Sequence, residues 1–105
     1  MKLALGTAQF GLPYGISNQN GVAKLEDIKN IINASVECGI DTIDTAKNYG
    51  NCERLLGNTG VNKFKVVTKI KINGPENIDV KTWIQGNIED SLKKLNLDSL
   101  YSVCA

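Results

Sequence analysis

The stretch on which the fold turns is Lys63-Phe64-Lys65-Val66-Val67-Thr68-Lys69-Ile70-Lys71-Ile72. Its β-branched residues are stiff at χ1 and suit a pleated, extended backbone, so a strand is predicted over 63–72. Downstream, Val80, Trp83, Ile84, Ile88, Leu92 and Leu95 recur at helical spacing, which predicts a helix over Asp79 to Leu95 with Asp79 as its N-cap. The apolar run Leu97 to Ala105 then reads as another strand. Upstream, Asn48-Tyr49-Gly50-Asn51 turns the chain into a short helix carrying Glu53, Leu55 and Leu56, expected to stop at Gly57. Before it come a strand over Ile40 to Thr45 and a helix over Lys24 to Cys38 closed by Gly39. The first strand, Lys2 to Gln9, runs into the Gly/Pro/Asn-rich loop Gly11 to Gly21.

Strands and helices therefore alternate, about four strands with three helices, and alternation calls for parallel pairing through right-handed crossovers. Two architectures accommodate it, an open doubly wound sheet and a closed (β/α)8 barrel. The barrel needs eight strands, so 105 residues would supply its first half. Periodicity alone does not choose between them. In either case residues 1–105 form a single domain with no linker. In the half barrel the outer strands would keep unpaired edges, which invite self-association.

Composition narrows the chemistry. Twelve Lys and Arg against eleven Asp and Glu leave a formal charge of +1, too little to gather nucleic acid or an anionic bilayer by charge. There is no histidine, which removes the commonest general base and zinc ligand, so chemistry must rest on carboxylates, Lys, Tyr or Cys. The three cysteines, Cys38, Cys52 and Cys104, form no CxxC pair, which indicates neither a zinc site nor a disulfide framework and suits a reduced, cytoplasmic setting. Cys52 reads as partly exposed, with only Lys47 or Arg54 nearby to activate a thiolate. No membrane span or signal peptide is legible, and the N-terminal apolar stretch is too brief and too polar for either.

Asp44-Thr45-Ala46-Lys47-Asn48-Tyr49-Gly50 is the strongest functional signal, together with Lys69 at the end of the third strand. Active-site groups in α/β proteins gather at the carboxyl ends of strands, where Asp44 and Lys69 would meet. Each has a plainer reading as well: Asp44 as a helix cap, Tyr49 as a packing aromatic, Lys69 as a solvated strand end, or Lys71 in its place on the same face. Glu53 could hold the Tyr49 loop or simply sit solvated at a helix start, and Trp83 reads as packing on the sheet. Gly6-Thr7-Ala8-Gln9-Phe10-Gly11 fits neither the P-loop nor the dinucleotide fingerprint; its glycines suit a turn approached closely by a substrate or cofactor.

Taken with LGTAQFG before it and VVTK after it, DTAKNYGNCERLLG resembles the aldo-keto reductase family, and the resemblance runs from LGTAQFGLPYG to LNLDSLYS. It implies the N-terminal part of a (β/α)8 barrel that reduces an aldehyde or ketone with NADPH or NADH, acting on a small carbonyl substrate. By that resemblance Tyr49 would be the proton donor, Lys69 its cationic neighbour and Asp44 the carboxylate that orients Lys69. A phenol's ordinary pKa of about 10 makes it a slow donor near neutrality, and a neighbouring ammonium stabilises the phenolate. The resemblance also puts the family's catalytic His at the position after Ala105 and most cofactor contacts in the second half of the barrel. A stretch with these features would be an incomplete enzyme, inactive alone. The alternatives are a noncatalytic remnant or association module, or a small open-sheet binding domain.

Overall fold

The computed structural model describes residues 2–11 and 24–105, so most of the expected Gly11 to Gly21 loop lies outside the described residues. The elements are β1 (Ala4–Gly6), α1 (Ala8–Gly11), α2 (Leu25–Glu37), β2 (Thr42–Asp44), α3 (Cys52–Thr59), β3 (Lys65–Lys69), α4 (Val80–Leu95) and β4 (Ser102–Cys104). All four strands are parallel, in the order β1-β2-β3-β4, so each crossover joins immediate neighbours as in one wall of a barrel.

The register separates two faces. Leu5, Ile43 and Val66 are paired across β1, β2 and β3, and they belong to or pack against the core built with Phe10, Ile28, Ile32, Leu56, Val61 and Leu95. The alternate row runs Gly6, Asp44, Val67 and Ser102, with Lys69 and Cys104 one step further on, and each of these remains at least partly accessible. The helices thus cover one face, and the polar groups at the strand ends stand on the other.

Four helices are present where three are expected. The extra one, α1, is a single turn whose Phe10 enters the core, too short to leave a helical period in the sequence. The end of α2 follows the expectation. Gly39 takes φ +78°, its N–H donates to Val36 O, and the Ile40 N–H donates to Ser35 O, the paired bonds of a Schellman end. Gly57 does not stop α3, which continues to Thr59 and is capped at Gly60 with φ 93°. Gly57 is buried against α4, where a Cβ would stand 2.0 Å from the Lys94 carbonyl oxygen. Its small size serves packing between helices, and the chain turns three residues later. Asp79 does cap α4: its carboxylate accepts from the Thr82 N–H at 2.8 Å and from the Thr82 hydroxyl at 3.0 Å. At the other end Asn96, with φ 57°, supplies the left-handed residue that releases the chain toward β4.

Every strand is shorter than the stretch expected for it, although backbone bonds such as Thr45 N–H to the Val67 carbonyl continue past the strand ends. Among the described residues no helix is long and apolar enough to cross a membrane.

Candidate active site

The carboxyl ends of β2 and β3 place Asp44 and Lys69 on the face free of helices. Lys69 Nζ donates to Asp44 Oδ1 at 2.5 Å and to the Thr45 carbonyl at 3.3 Å. Burial pulls the Lys69 ammonium toward a lower pKa, but the hydrogen bond and charge of Asp44 outweigh it, helped by Tyr49 and Cys104, and the net value lies above that of an ordinary lysine. Lys69 is therefore a cation throughout the neutral range. The side chains of this pair are 39% and 44% exposed, so solvent screening leaves the pair little weight in global stability. Its effect is to fix where one ammonium points.

That ammonium lies 5.7 Å from the centroid of the Tyr49 ring. Tyr49 is half-buried and packs against the core edge, while Lys71 lies beyond the end of β3 and is exposed. Asp44, Lys69 and Tyr49 are thus brought to one rim. Asp44 is not a helix cap, since α3 begins eight residues later behind Asn51.

Backbone contacts hold this rim. Thr7 donates through both its N–H and its hydroxyl to the Asp44 carbonyl, at 3.1 and 2.9 Å, and the Lys47 N–H donates to the Lys69 carbonyl at 3.1 Å. Gly11 and Gly50 meet directly: a Cβ on Gly11 would lie 1.6 Å from the Tyr49 carbonyl oxygen, and one on Gly50 would lie 2.3 Å from the Gly11 oxygen. The glycine turn after β1 is therefore closed against the Tyr49 loop. At Gly11 the close approach expected of a substrate or cofactor is made by the protein itself.

Cys52 is buried rather than partly exposed. Its thiol donates to the Thr7 carbonyl at 3.3 Å and the Thr7 hydroxyl at 3.1 Å, and its sulfur lies 3.2 Å from the Thr45 hydroxyl. Burial pushes the thiol pKa up, against the Thr45 and Thr7 hydrogen bonds, which suits an inert packing residue. Position one of a helix entering the core was the signal for this, because the following Leu55 and Leu56 set the buried side.

Glu53 is not solvated, and its hydrogen bond goes to β3 while an ion pair reaches the loop of Tyr49. It is 3% exposed, accepts from the Thr68 hydroxyl at 2.9 Å, and lies 3.8 Å from Lys47 Nζ, which also reaches Asp90 at 2.5 Å. Its carboxylate ties α3 to β3 one residue before Lys69. Thr68→Val keeps the shape but removes the donor to a buried anion, and is expected to destabilise the chain by about 1–3 kcal/mol. An unchanged urea unfolding midpoint would refute this role.

Trp83 does not pack on the sheet. Its indole N–H donates to the Lys71 carbonyl at 2.7 Å, and its ring lies so close over Gly74 that a Cβ there would stand 2.5 Å from Cδ2. The indole forms one wall of a 460 Å³ cleft, which Lys47, Asn48, Tyr49, Lys69, Ile70, Lys71 and Asn87 complete. Among the described residues no group of three or more His, Cys, Asp and Glu could hold a metal.

The sequence profile of the Aldo/keto reductase family matches residues 2–103. The chain belongs to the aldo/keto reductase family. A crystal structure described as an aldo-keto reductase from Pseudomonas aeruginosa is 28% identical, with a TM-score of 0.78 over 95% of this chain and 40% of its own. An aldo-keto reductase from Bacillus halodurans, in its holo form, shares the fold at 20% identity and TM-score 0.68, over 94% of this chain and 33% of its own. Aldose reductase from Giardia lamblia does so at 15% identity and TM-score 0.62, over 94% and 30%. No curated protein matches. The chain thus spans 30–40% of the length of these aldo-keto reductases, and its four strands correspond to the N-terminal part of their barrel.

Proposed function

We propose that this chain supplies the proton-donating corner of an NADPH- or NADH-dependent reduction of an aldehyde or ketone. The observation that carries the reading is the convergence of Asp44, Lys69 and Tyr49 at one rim, with the ammonium 2.5 Å from the carboxylate and 5.7 Å from the phenol ring centroid. In this reading the Tyr49 phenol gives its proton to the carbonyl oxygen as negative charge develops there. The Lys69 ammonium stabilises the phenolate left behind, and Asp44 keeps that ammonium aimed.

At Gly11 the described residues leave no room for a dinucleotide phosphate. The glycine turn that could have opened toward a phosphate is filled by the Tyr49 backbone, with 1.6 Å between the Tyr49 oxygen and a Cβ placed on Gly11. The nicotinamide cofactor is therefore not assigned to residues of this stretch. Residues 1–105 act as the N-terminal portion of a barrel and reduce nothing alone.

The test is complementation. The chain is coexpressed with the barrel portion that follows the corresponding segment of the Pseudomonas aeruginosa structure, and aldehyde-dependent NADPH consumption is measured on the copurified complex. Reduction by the complex but by neither piece supports the reading. A complex that copurifies and reduces no aldehyde or ketone, or activity in the chain alone, overturns it.

A further inference from the structure

The cleft beside the candidate rim carries a charge imbalance that proton donation does not use. Its lining contains three lysines and no carboxylate. Two of the three are neutralised from outside the lining: Lys69 by Asp44 at 2.5 Å, and Lys47 by Asp90 at 2.5 Å and Glu53 at 3.8 Å. Lys71 has no carboxylate within ion-pairing distance among the described residues. One lysine of the lining therefore lacks a carboxylate partner among the described residues, in a cleft that an indole and a phenol also line.

That wall is preformed. Trp83 is held by its bond to the Lys71 carbonyl and by contact over Gly74, so its ring position is fixed relative to the backbone that carries the Lys71 ammonium. A flat apolar surface with a cation at its edge suits a planar molecule bearing a negative group. A single ammonium supplies one positive charge, which one monoanionic group such as a carboxylate balances.

We propose that this cleft selects carbonyl compounds that carry a carboxylate on a planar, apolar body, with Lys71 meeting the carboxylate and Trp83 the body. The proposal rests on the carbonyl-reducing role above for the identity of the reacting group, but its recognition chemistry can be measured without turnover. Trp83 is the sole tryptophan of the sequence, so its fluorescence reports the cleft directly.

The experiment titrates the chain at low ionic strength with 4-carboxybenzaldehyde, its neutral methyl ester, and benzoate. The acid is expected to quench Trp83 with a Kd about 2- to 5-fold below that of the ester, as an exposed ion pair gives. Lys71→Met should erase that preference. Lys65→Met, which removes a lysine from the opposite end of β3, should leave it intact. Equal affinity for acid and ester, absence of quenching, or a preference that survives Lys71→Met would overturn the proposal. Benzoate separates the two readings. If it binds with the same Lys71 dependence while the copurified complex reduces no carbonyl, anion recognition stands and the reducing role falls. If reduction proceeds but acid and ester are bound and reduced alike, the reducing role stands and the selectivity falls.

Discussion

Tyr49→Phe, introduced into the chain complemented to reduce an aldehyde, is expected to lower kcat by about 10²- to 10⁴-fold, the usual worth of positioned proton transfer. Phenylalanine keeps the ring that packs against the core edge and that faces Lys69, so folding and carbonyl binding should change little. The loss should therefore appear in kcat with KM nearly constant, as for an interaction made only in the transition state. A Phe variant that reduces at the parental rate would remove Tyr49 from the chemistry. One that loses kcat only alongside a lowered unfolding midpoint would make the ring structural instead.

Gly57→Ala tests the fold at its tightest helix contact, and two opposing effects decide its sign. Helix propensity favours alanine over glycine by about 1 kcal/mol in a helix interior. Against this, the new methyl would stand 2.0 Å from the Lys94 oxygen and 2.9 Å from the Leu95 carbonyl carbon, both backbone atoms that no rotamer change can move. Overfilling a packed interior costs about 1–3 kcal/mol and sometimes more. Because the clash is with rigid backbone, destabilisation should win, with α3 displaced from α4. Gly86→Ala is the internal control. It lies within α4 with nothing within 4 Å of its Cβ position, so propensity alone acts and the variant should gain up to about 1 kcal/mol. Urea unfolding followed at Trp83 would show the two midpoints moving in opposite directions. A Gly57→Ala midpoint equal to or above the parent would mean that the α3–α4 contact is looser than described.

The same glycine shows what the sequence left illegible. A glycine after two leucines reads locally as a helix stop, and only the position of α4, brought in from nearly forty residues away, shows that it is a packing surface. The alternation of elements was legible because Val66, Val67 and Thr68 suit a strand and because the apolar face of 80–95 keeps helical spacing. Both patterns are short-range. Parallel pairing followed from alternation, since consecutive parallel strands need a crossover. The meeting of Asp44 with Lys69 was legible for the same reason, because neighbouring parallel strands bring their carboxyl ends to one rim. The buried polar set was not. Thr7 and Thr45 each bond Cys52, and Thr68 bonds Glu53, across separations of 7 to 45 residues. Nothing in the local composition distinguishes a threonine that faces helices from one that faces water until the register is known.

The interlock of Gly11 with the Tyr49–Gly50 peptide means that the phenol is anchored from the N-terminal segment as well as from its own loop. Strain applied near residue 11, whether from an added methyl group, a fused tag or proteolytic nicking, is transmitted to the Tyr49 loop without crossing the hydrophobic interior. By the reasoning applied to Gly57, a methyl added at Gly11 would lower the unfolding midpoint and would also displace the Tyr49 hydroxyl.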